Sequence, residues 1–342
     1  MNPAGEVKVS IVGASGYVGE ELVRLLLRHP HAQIVGLSSR QNAGRTLAEV
    51  FPRYAHLSGA RELQFAAQPN DDAEIVFLAL PHGVAAAFAR AALDAGKRVI
   101  DLSADFRTKD PAVYREFYGT EHPAPDLLGG AVYGLPEFRR DAIRDAKLVA
   151  CPGCYPTSVL IPVLPLLQRR LVRPDEIIVN SLTGVSGAGR KAEVPYLFAE
   201  CNESVRAYSV PKHRHLSEIE QELSDAAAAK VTIQFTPHLV PVTRGILTTT
   251  YLVPLASADE IGSALQEQYA HEPFVRLLGG DALPDTKNVV GTNVIEIAWR
   301  LDPRTGRLIV ISAEDNIVKG ASGQAVQCLN IMRGFAETAG LL

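Results

Sequence analysis

The chain has 342 residues, 47% of them hydrophobic and 21% charged, with a net charge of −4. The length predicts two domains. The mild negative charge excludes an electrostatic footprint for nucleic acid, and no stretch has the length and apolarity of a membrane span. Four cysteines do not make a disulfide framework in a chain of this size, and no signal-peptide pattern is read at the N-terminus, so a reducing, cytoplasmic setting is expected.

Residues 7–12 form a short apolar run that predicts a strand. Gly13-Ala14-Ser15-Gly16-Tyr17-Val18-Gly19 follows, then a helical pattern to about Arg28 and a second strand over 33–37. This is a βαβ unit opening on a glycine-rich turn, which lets backbone approach a pyrophosphate at a helix N-terminus. The spacing is G-x-x-G-x-x-G rather than G-x-G-x-x-G, so its strand–turn–helix–strand setting carries the dinucleotide reading. Gly13, Ser15, Gly16, Tyr17 and Val18 are the candidate contacts. The second strand ends in Ser38-Ser39-Arg40, with no acid to meet a ribose 2′-hydroxyl. Two hydroxyls and a guanidinium suit a 2′-phosphate, and the expected cofactor is NADP.

Residues 74–80 and 97–102 read as further parallel strands, with an alanine-rich helix between them over 84–95. Pro81-His82-Gly83 ends the first of these strands. Loops at such strand ends face the ligand side of the sheet, which places His82 near the cofactor without a catalytic role, and Pro81 is a cofactor candidate. Residues 108–147 read as a covering excursion with short helical pieces.

The next strand, ending at Ala150, leads through Pro152-Gly153 to Cys154. A largely apolar helix is predicted over 158–171, kinked or broken at Pro162 and Pro165. Cys154 therefore lies at or next to a helix N-terminus, where unpaired N–H groups and the positive dipole end favour a thiolate. Such a cysteine serves as a nucleophile at neutral pH.

The run Pro152-Gly153-Cys154-Tyr155-Pro156-Thr157 resembles the active-site signature of the N-acetyl-gamma-glutamyl-phosphate reductases, acyl-phosphate reductases of the arginine pathway within the aspartate-semialdehyde-dehydrogenase-like superfamily. Ser158 departs from it, standing where Gly or Ala is usual. Ser103-Ala104-Asp105-Phe106-Arg107, Tyr133 to Glu137, Ser186-Gly187-Ala188-Gly189-Arg190, the run from Tyr208 through His213-Arg214-His215, Arg244-Gly245-Ile246-Leu247 and Asp315 to Gly320 carry the resemblance over nearly the whole chain. The resemblance implies substrate or phosphate contacts at Arg107, Ser186, Arg190, Tyr208 and Arg244. It also implies acid–base work by His213 and His215 facing Cys154, with His213 the more direct, and a place near the nicotinamide for Asn316.

After the Cys154 helix, strands are predicted over 176–182, 231–236, 245–253, 294–301 and 308–313, and helices over 258–270 and 324–338. Few crossover helices separate these strands, so a mixed or antiparallel sheet is expected. The fold class is α/β: a Rossmann-like NADP-binding domain over 1–151, joined by the C-terminal helix over 320–342, and an α+β catalytic domain over 152–319.

The reaction implied is reduction of an acyl phosphate to an aldehyde through a cysteine thioester, in a small-molecule enzyme that forms homo-oligomers, dimers or tetramers. Other readings are a related reductase of carrier-linked aminoadipyl phosphate or aspartyl phosphate, and a non-catalytic NADP sensor. Cys151-Pro152-Gly153-Cys154 also reads as a dithiol pair, and Cys151, Cys154, His213 and His215 as a zinc set. The H-x-H spacing is short for a zinc site, and no metal is expected.

Overall fold

The computed structural model describes residues 5–57, 59–70, 72–190 and 192–342. The chain divides into two compact units. The first takes Met1–Arg115, Gly119–Pro152 and Ala321–Leu342; the second takes Glu116–Tyr118 and Gly153–Gly320.

Seven strands build the first unit: β1 (Val7–Val12), β2 (Ala32–Ser38), β3 (Phe65–Ala66), β4 (Ile75–Leu78), β5 (Arg98–Asp101), β6 (Ala131–Tyr133) and β7 (Leu148–Ala150). All pair in parallel, in the order β3-β2-β1-β4-β5-β7-β6. The order reverses direction at β1 and β4, the place where such sheets hold ligands. β4 is buried along its whole length, as a strand covered on both faces must be. The alanine-rich helix, Ala85–Asp94, lies close on the sheet through Ala85, Ala86 and Ala89.

The excursion over 108–147 does more than cover, because β6 supplies an edge strand. Three residues between turns give too short a pattern to read as a strand. The C-terminal helix (Gly323–Arg333) stops five residues before the expected Thr338. Gly334, at φ +70°, ends it. Arg98 Nη1 donates to the carbonyl of Met332 at 2.8 Å, tying that helix to β5.

The second unit holds β8 (Ile178–Thr183), β9 (Arg206–Ala207), β10 (Gln234–Leu239), β11 (Ile246–Leu252), β12 (Val275–Leu277), β13 (Ile295–Asp302) and β14 (Arg307–Glu314). Their order is β12-β13-β14-β11-β8-β10-β9. Pairing is parallel for β8 with β10 and for β12 with β13, and antiparallel elsewhere, so the sheet is mixed as expected.

The Cys154 helix, Cys154–Gln168, packs on this sheet and is buried from Tyr155 to Leu167. It starts four residues earlier than expected, at Cys154 itself, and it passes both prolines without a break. Each proline lacks the N–H that would bond the carbonyl four residues back. Those two carbonyls find other donors. Ser312 Oγ donates to the Ser158 carbonyl at 2.7 Å, and the Tyr269 hydroxyl donates to that of Ile161. Tertiary donors remove the penalty that predicted a break.

Candidate active site

In the first unit, the glycine turn and the end of β2 are locked together. The N–H groups of Gly13 and Ala14 both donate to the Ser38 carbonyl, at 3.0 and 3.1 Å. Gly13 sits at φ +84°, and a Cβ there would collide with the Ala79 carbonyl oxygen. Only glycine allows this approach. Gly16 caps the helix Tyr17–Leu26, no side chain occupies the cap, and Tyr17 is exposed. Ser15 Oγ and Ser39 Oγ lie 2.9 Å apart. Ser38 is buried, and among the described residues its hydroxyl has no hydrogen-bond partner. Arg40 is exposed beside them, and so is Pro81 at the end of β4. A tight turn, an uncapped helix N-terminus and an acid-free hydroxyl pair fit a phosphorylated dinucleotide.

The segment after β5 is dominated by buried carboxylates that the sequence reading passed over. Asp105 accepts hydrogen bonds from the N–H groups of Gly83 (2.6 Å) and Ala86 (3.0 Å) and from the Tyr114 hydroxyl (3.1 Å). It therefore holds the loop after β4. Asp101 accepts from the Ser103 N–H and hydroxyl, at 3.0 and 2.7 Å. Burial pushes its carboxyl up to about 7 against these bonds. Arg107 is buried too. Its Nε donates to the Cys151 carbonyl and its Nη2 to the Leu102 carbonyl, both at 2.8 Å, so it ties the end of β7 to the end of β5.

In the second unit the nucleophile candidate is well placed. Cys154 is the first residue of its helix, Gly153 is the cap, and the thiol is partly exposed. A second helix N-terminus meets it. The helix Leu216–Ala227 has His215 as its cap and Glu218 in its first turn. Glu218 is fully buried and accepts the Gly153 N–H at 3.1 Å. The His215 ring lies over Gly153. The structure thus brings His215 beside the nucleophile. Glu218 went unrecognised because an acid in a first helical turn is ordinary; its position three residues after His215, on the same face, was the available signal.

His213 and His215 have ring centroids 4.9 Å apart, enclosed by Tyr155, Tyr208 and Phe235. The His215 N–H donates to His213 Nδ1 at 3.1 Å. Burial, with the charge of Arg214 adding to it, pushes His213 down to about 4. It is therefore neutral at pH 7, its Nδ1 accepts, and its proton sits on Nε2. The hydroxyls of Tyr155 and Tyr208 lie 2.7 Å apart. Burial raises both phenols, and the Cys154 charge pushes the same way, so both stay protonated.

Asn316 and Ser186 also come together. Asn316 Nδ2 donates to Ser186 Oγ and its Oδ1 accepts the Gly245 N–H, both at 2.9 Å. Arg244, next to Gly245, has Nη1 3.7 Å from Asp315 Oδ2, and Arg190 is exposed on the loop beyond Ser186. Gly320 closes the site from below. An ideal Cβ there would lie 2.7 Å from Cys154 Cβ and 2.9 Å from Glu314 Oε1. The buried Glu314 is a further near neighbour of Cys154 that the sequence did not single out. Among the described residues no group of three or more His, Cys, Asp or Glu stands so as to hold a metal ion, and no helix is long and apolar enough to cross a membrane.

Comparison with known proteins agrees with this arrangement. A family model for the semialdehyde dehydrogenase NAD binding domain matches residues 8–146, and one for the semialdehyde dehydrogenase dimerisation domain matches residues 154–316. Solved structures with the same fold include aspartate semialdehyde dehydrogenase II from Vibrio cholerae in complex with ASA, with TM-score 0.73, 19% identity and coverage of 96% of this chain and 98% of that one. Another is the Candida albicans aspartate semialdehyde dehydrogenase with NADP, with TM-score 0.71, 16% identity and the same coverage. Curated relatives are far closer in sequence. The N-acetyl-gamma-glutamyl-phosphate reductase of Akkermansia muciniphila is 55% identical over 98% of this chain and 99% of its own length. That of Desulforudis audaxviator is 50% identical over 98% of each. With the nucleophile turn, the dinucleotide turn and this identity along almost its full length, the chain belongs to the N-acetyl-gamma-glutamyl-phosphate reductase family.

Proposed function

We propose that this protein reduces N-acetyl-L-glutamyl 5-phosphate to N-acetyl-L-glutamate 5-semialdehyde, releasing phosphate, in arginine biosynthesis, with NADPH as the reductant. The observation that carries this reading is Cys154 at the first position of its helix, with His215 beside it and a neutral His213 donor nearby.

His215 takes the thiol proton, and the Cys154 thiolate attacks the acyl carbon. The C–O bond to phosphate breaks, His215 returns the proton to the leaving phosphate, and a thioester remains. NADPH, which the Gly13 to Val18 turn with Ser38, Ser39 and Arg40 would hold, would supply the hydride that makes the thioester a thiohemiacetal oxyanion. Nε2–H of His213 suits that oxyanion as a hydrogen-bond donor. The oxyanion collapses, the C–S bond breaks and the aldehyde leaves; the released Cys154 thiolate takes a proton from solvent through His215, which restores the thiol. We place proton transfer on His215 because the suppressed basicity of His213 makes it a poor proton carrier at neutral pH. Ser186, Arg190, Tyr208 and Arg244 are the proposed substrate contacts, and Arg244 suits a carboxylate.

The same reading includes a homo-oligomer. The dimerisation-domain match covers the second sheet. One face of that sheet carries half-buried Ile178, Leu182, Leu247, Tyr251, Ile309 and Ile311, aligned across strands by the register Tyr251 with Ile178 and Ile309, and Leu247 with Leu182. An apolar face of this kind suits a second copy.

The deciding assay is phosphate-dependent reduction of NADP⁺ by N-acetylglutamate semialdehyde, in wild type and Cys154→Ala, with NAD⁺ and aspartate semialdehyde as controls. Activity in wild type alone supports the reading. Activity that survives Cys154→Ala overturns the nucleophile. Turnover of aspartate semialdehyde alone overturns the substrate.

A further inference from the structure

We propose that Arg45, positioned by Asn42, is a second cation that recognises the 2′-phosphate of the dinucleotide. The inference rests on the NADP reading above.

A chain of hydrogen bonds leads from the phosphate turn into the loop after β2. Ser15 Oγ meets Ser39 Oγ at 2.9 Å, Asn42 Nδ2 donates to Ser39 Oγ at 3.3 Å, and Arg45 Nη1 donates to Asn42 Oδ1 at 3.2 Å. Asn42 thus joins the hydroxyl pair to a guanidinium by one amide.

The loop is held in this shape by backbone. Ser39 N–H donates to Ala66 at 2.9 Å, Gly44 N–H to Phe65 at 2.8 Å, and Phe65 N–H to Arg45 at 2.9 Å, all to carbonyls. Arg45 Nη2 rests on the Glu49 carbonyl at 3.0 Å. The Glu49 carboxylate accepts from the Thr46 N–H at 2.6 Å and the Thr46 hydroxyl at 2.9 Å; these bonds hold its carboxyl below the usual range, and the nearby Arg45 charge adds to that.

Arg40 and Arg45 are both exposed, and among the described residues neither forms an ion pair with a carboxylate. Most other arginines of the chain do pair, as Arg53, Arg90, Arg115 and Arg173 show. Two guanidiniums outside any ion pair thus lie on one short loop with Ser39, Arg45 held by Asn42 and the Glu49 carbonyl, and the buried Ser38 hydroxyl adds a donor. A phosphate dianion at Ser39 meets Arg40 from one side and takes over the Asn42-held donor of Arg45 from the other. Arginine suits this work because its planar fork gives two donors at once. A ribose 2′-hydroxyl gains nothing from either cation, so Arg45 contributes to selection rather than to general affinity.

The test is direct binding, by calorimetry, of NADPH, NADH, 2′,5′-ADP and 5′-AMP to wild type, Arg45→Ala, Arg45→Lys and Asn42→Ala. In Arg45→Ala, NADPH and 2′,5′-ADP are expected to weaken about tenfold, while NADH and 5′-AMP hold. Arg45→Lys recovers part of the loss, and Asn42→Ala shows a smaller loss of the same kind. Equal losses for NADPH and NADH, or no loss, overturn the role of Arg45. A wild type that does not distinguish NADPH from NADH overturns the NADP reading itself, a result separable from the first because it needs no variant.

Discussion

The imidazole of His215 lies over the α-carbon of Gly153, so close that an ideal Cβ there would be 2.5 Å from Nε2. The residue before Cys154 is therefore small because the His215 ring occupies its side-chain space. Gly153→Ala must push His215 aside. We expect kcat to fall about a hundredfold, since small misplacements of reacting groups cost that much. Thermal melting is expected to show only a modest loss. The measurement is kcat beside the melting temperature; unchanged kcat would separate His215 from the chemistry.

Gly320 makes the same argument from the other side of the nucleophile. Its missing side chain leaves room for Cys154 Cβ, and two backbones fix the contact. Gly320→Ala is expected to slow iodoacetamide labelling of Cys154 and to lower stability by about 1 to 3 kcal/mol through overpacking. Labelling at the wild-type rate would contradict it.

The Pro162 and Pro165 carbonyl partners give a cleaner energetic test. Removing the donor to the Ser158 carbonyl by Ser312→Ala leaves a buried acceptor unmet, at a cost of about 1 to 3 kcal/mol. Tyr269→Phe should do the same at Ile161. In a Pro162→Ala background the backbone regains an N–H at residue 162, and Ser312→Ala should then cost less. Urea unfolding of the four proteins in this cycle measures the coupling; additive losses would refute the substitution of one donor for another.

His213 and Asp101 are expected to tilt the pH profile of stability in opposite directions. His213 is held below its ordinary 6.5, at about 4, so the unfolded chain binds the proton first as pH falls. Its contribution is complete above 6.5 and is lost between there and about 4, amounting to up to about 3 kcal/mol. Asp101 is raised from 3.8 to about 7, so its contribution is complete below 3.8 and is lost as pH rises to about 7. His213→Gln should therefore flatten the acid limb of stability. Asp101→Asn should raise stability at pH 8 by up to about 4 kcal/mol, provided Ser103 re-pairs with the amide. Unfolding at several pH values reads both slopes.

The paired-sheet reading of the second unit is open to a solution test. Ile309→Asp places a charge among the half-buried apolar residues of β8 and β11. Light scattering should report a smaller species than wild type. An unchanged mass would exclude this face as the contact between copies.

Much of this protein was legible from its sequence because the signals were local. Glycines over 13–19 between an apolar strand and an apolar helix specify a dinucleotide turn. Ser38-Ser39-Arg40 lacks the acid of an NAD site, and Pro152-Gly153-Cys154 aims a thiol at a helix start. The scarcity of crossover helices among the later strands gave the mixed sheet. Only the tertiary structure could decide the rest, because it depends on atoms far apart in the chain. Ser312 and Tyr269 keep a proline-bearing helix whole from more than a hundred residues away. Glu218 meets Gly153 across 65 residues, and Glu314 nears Cys154 across a glycine. Periodicity and motif report what a residue prefers beside its neighbours. Which buried carbonyl needs a donor, and which histidine burial keeps neutral, is set by packing, since desolvation and hydrogen bonding act through space rather than along the chain.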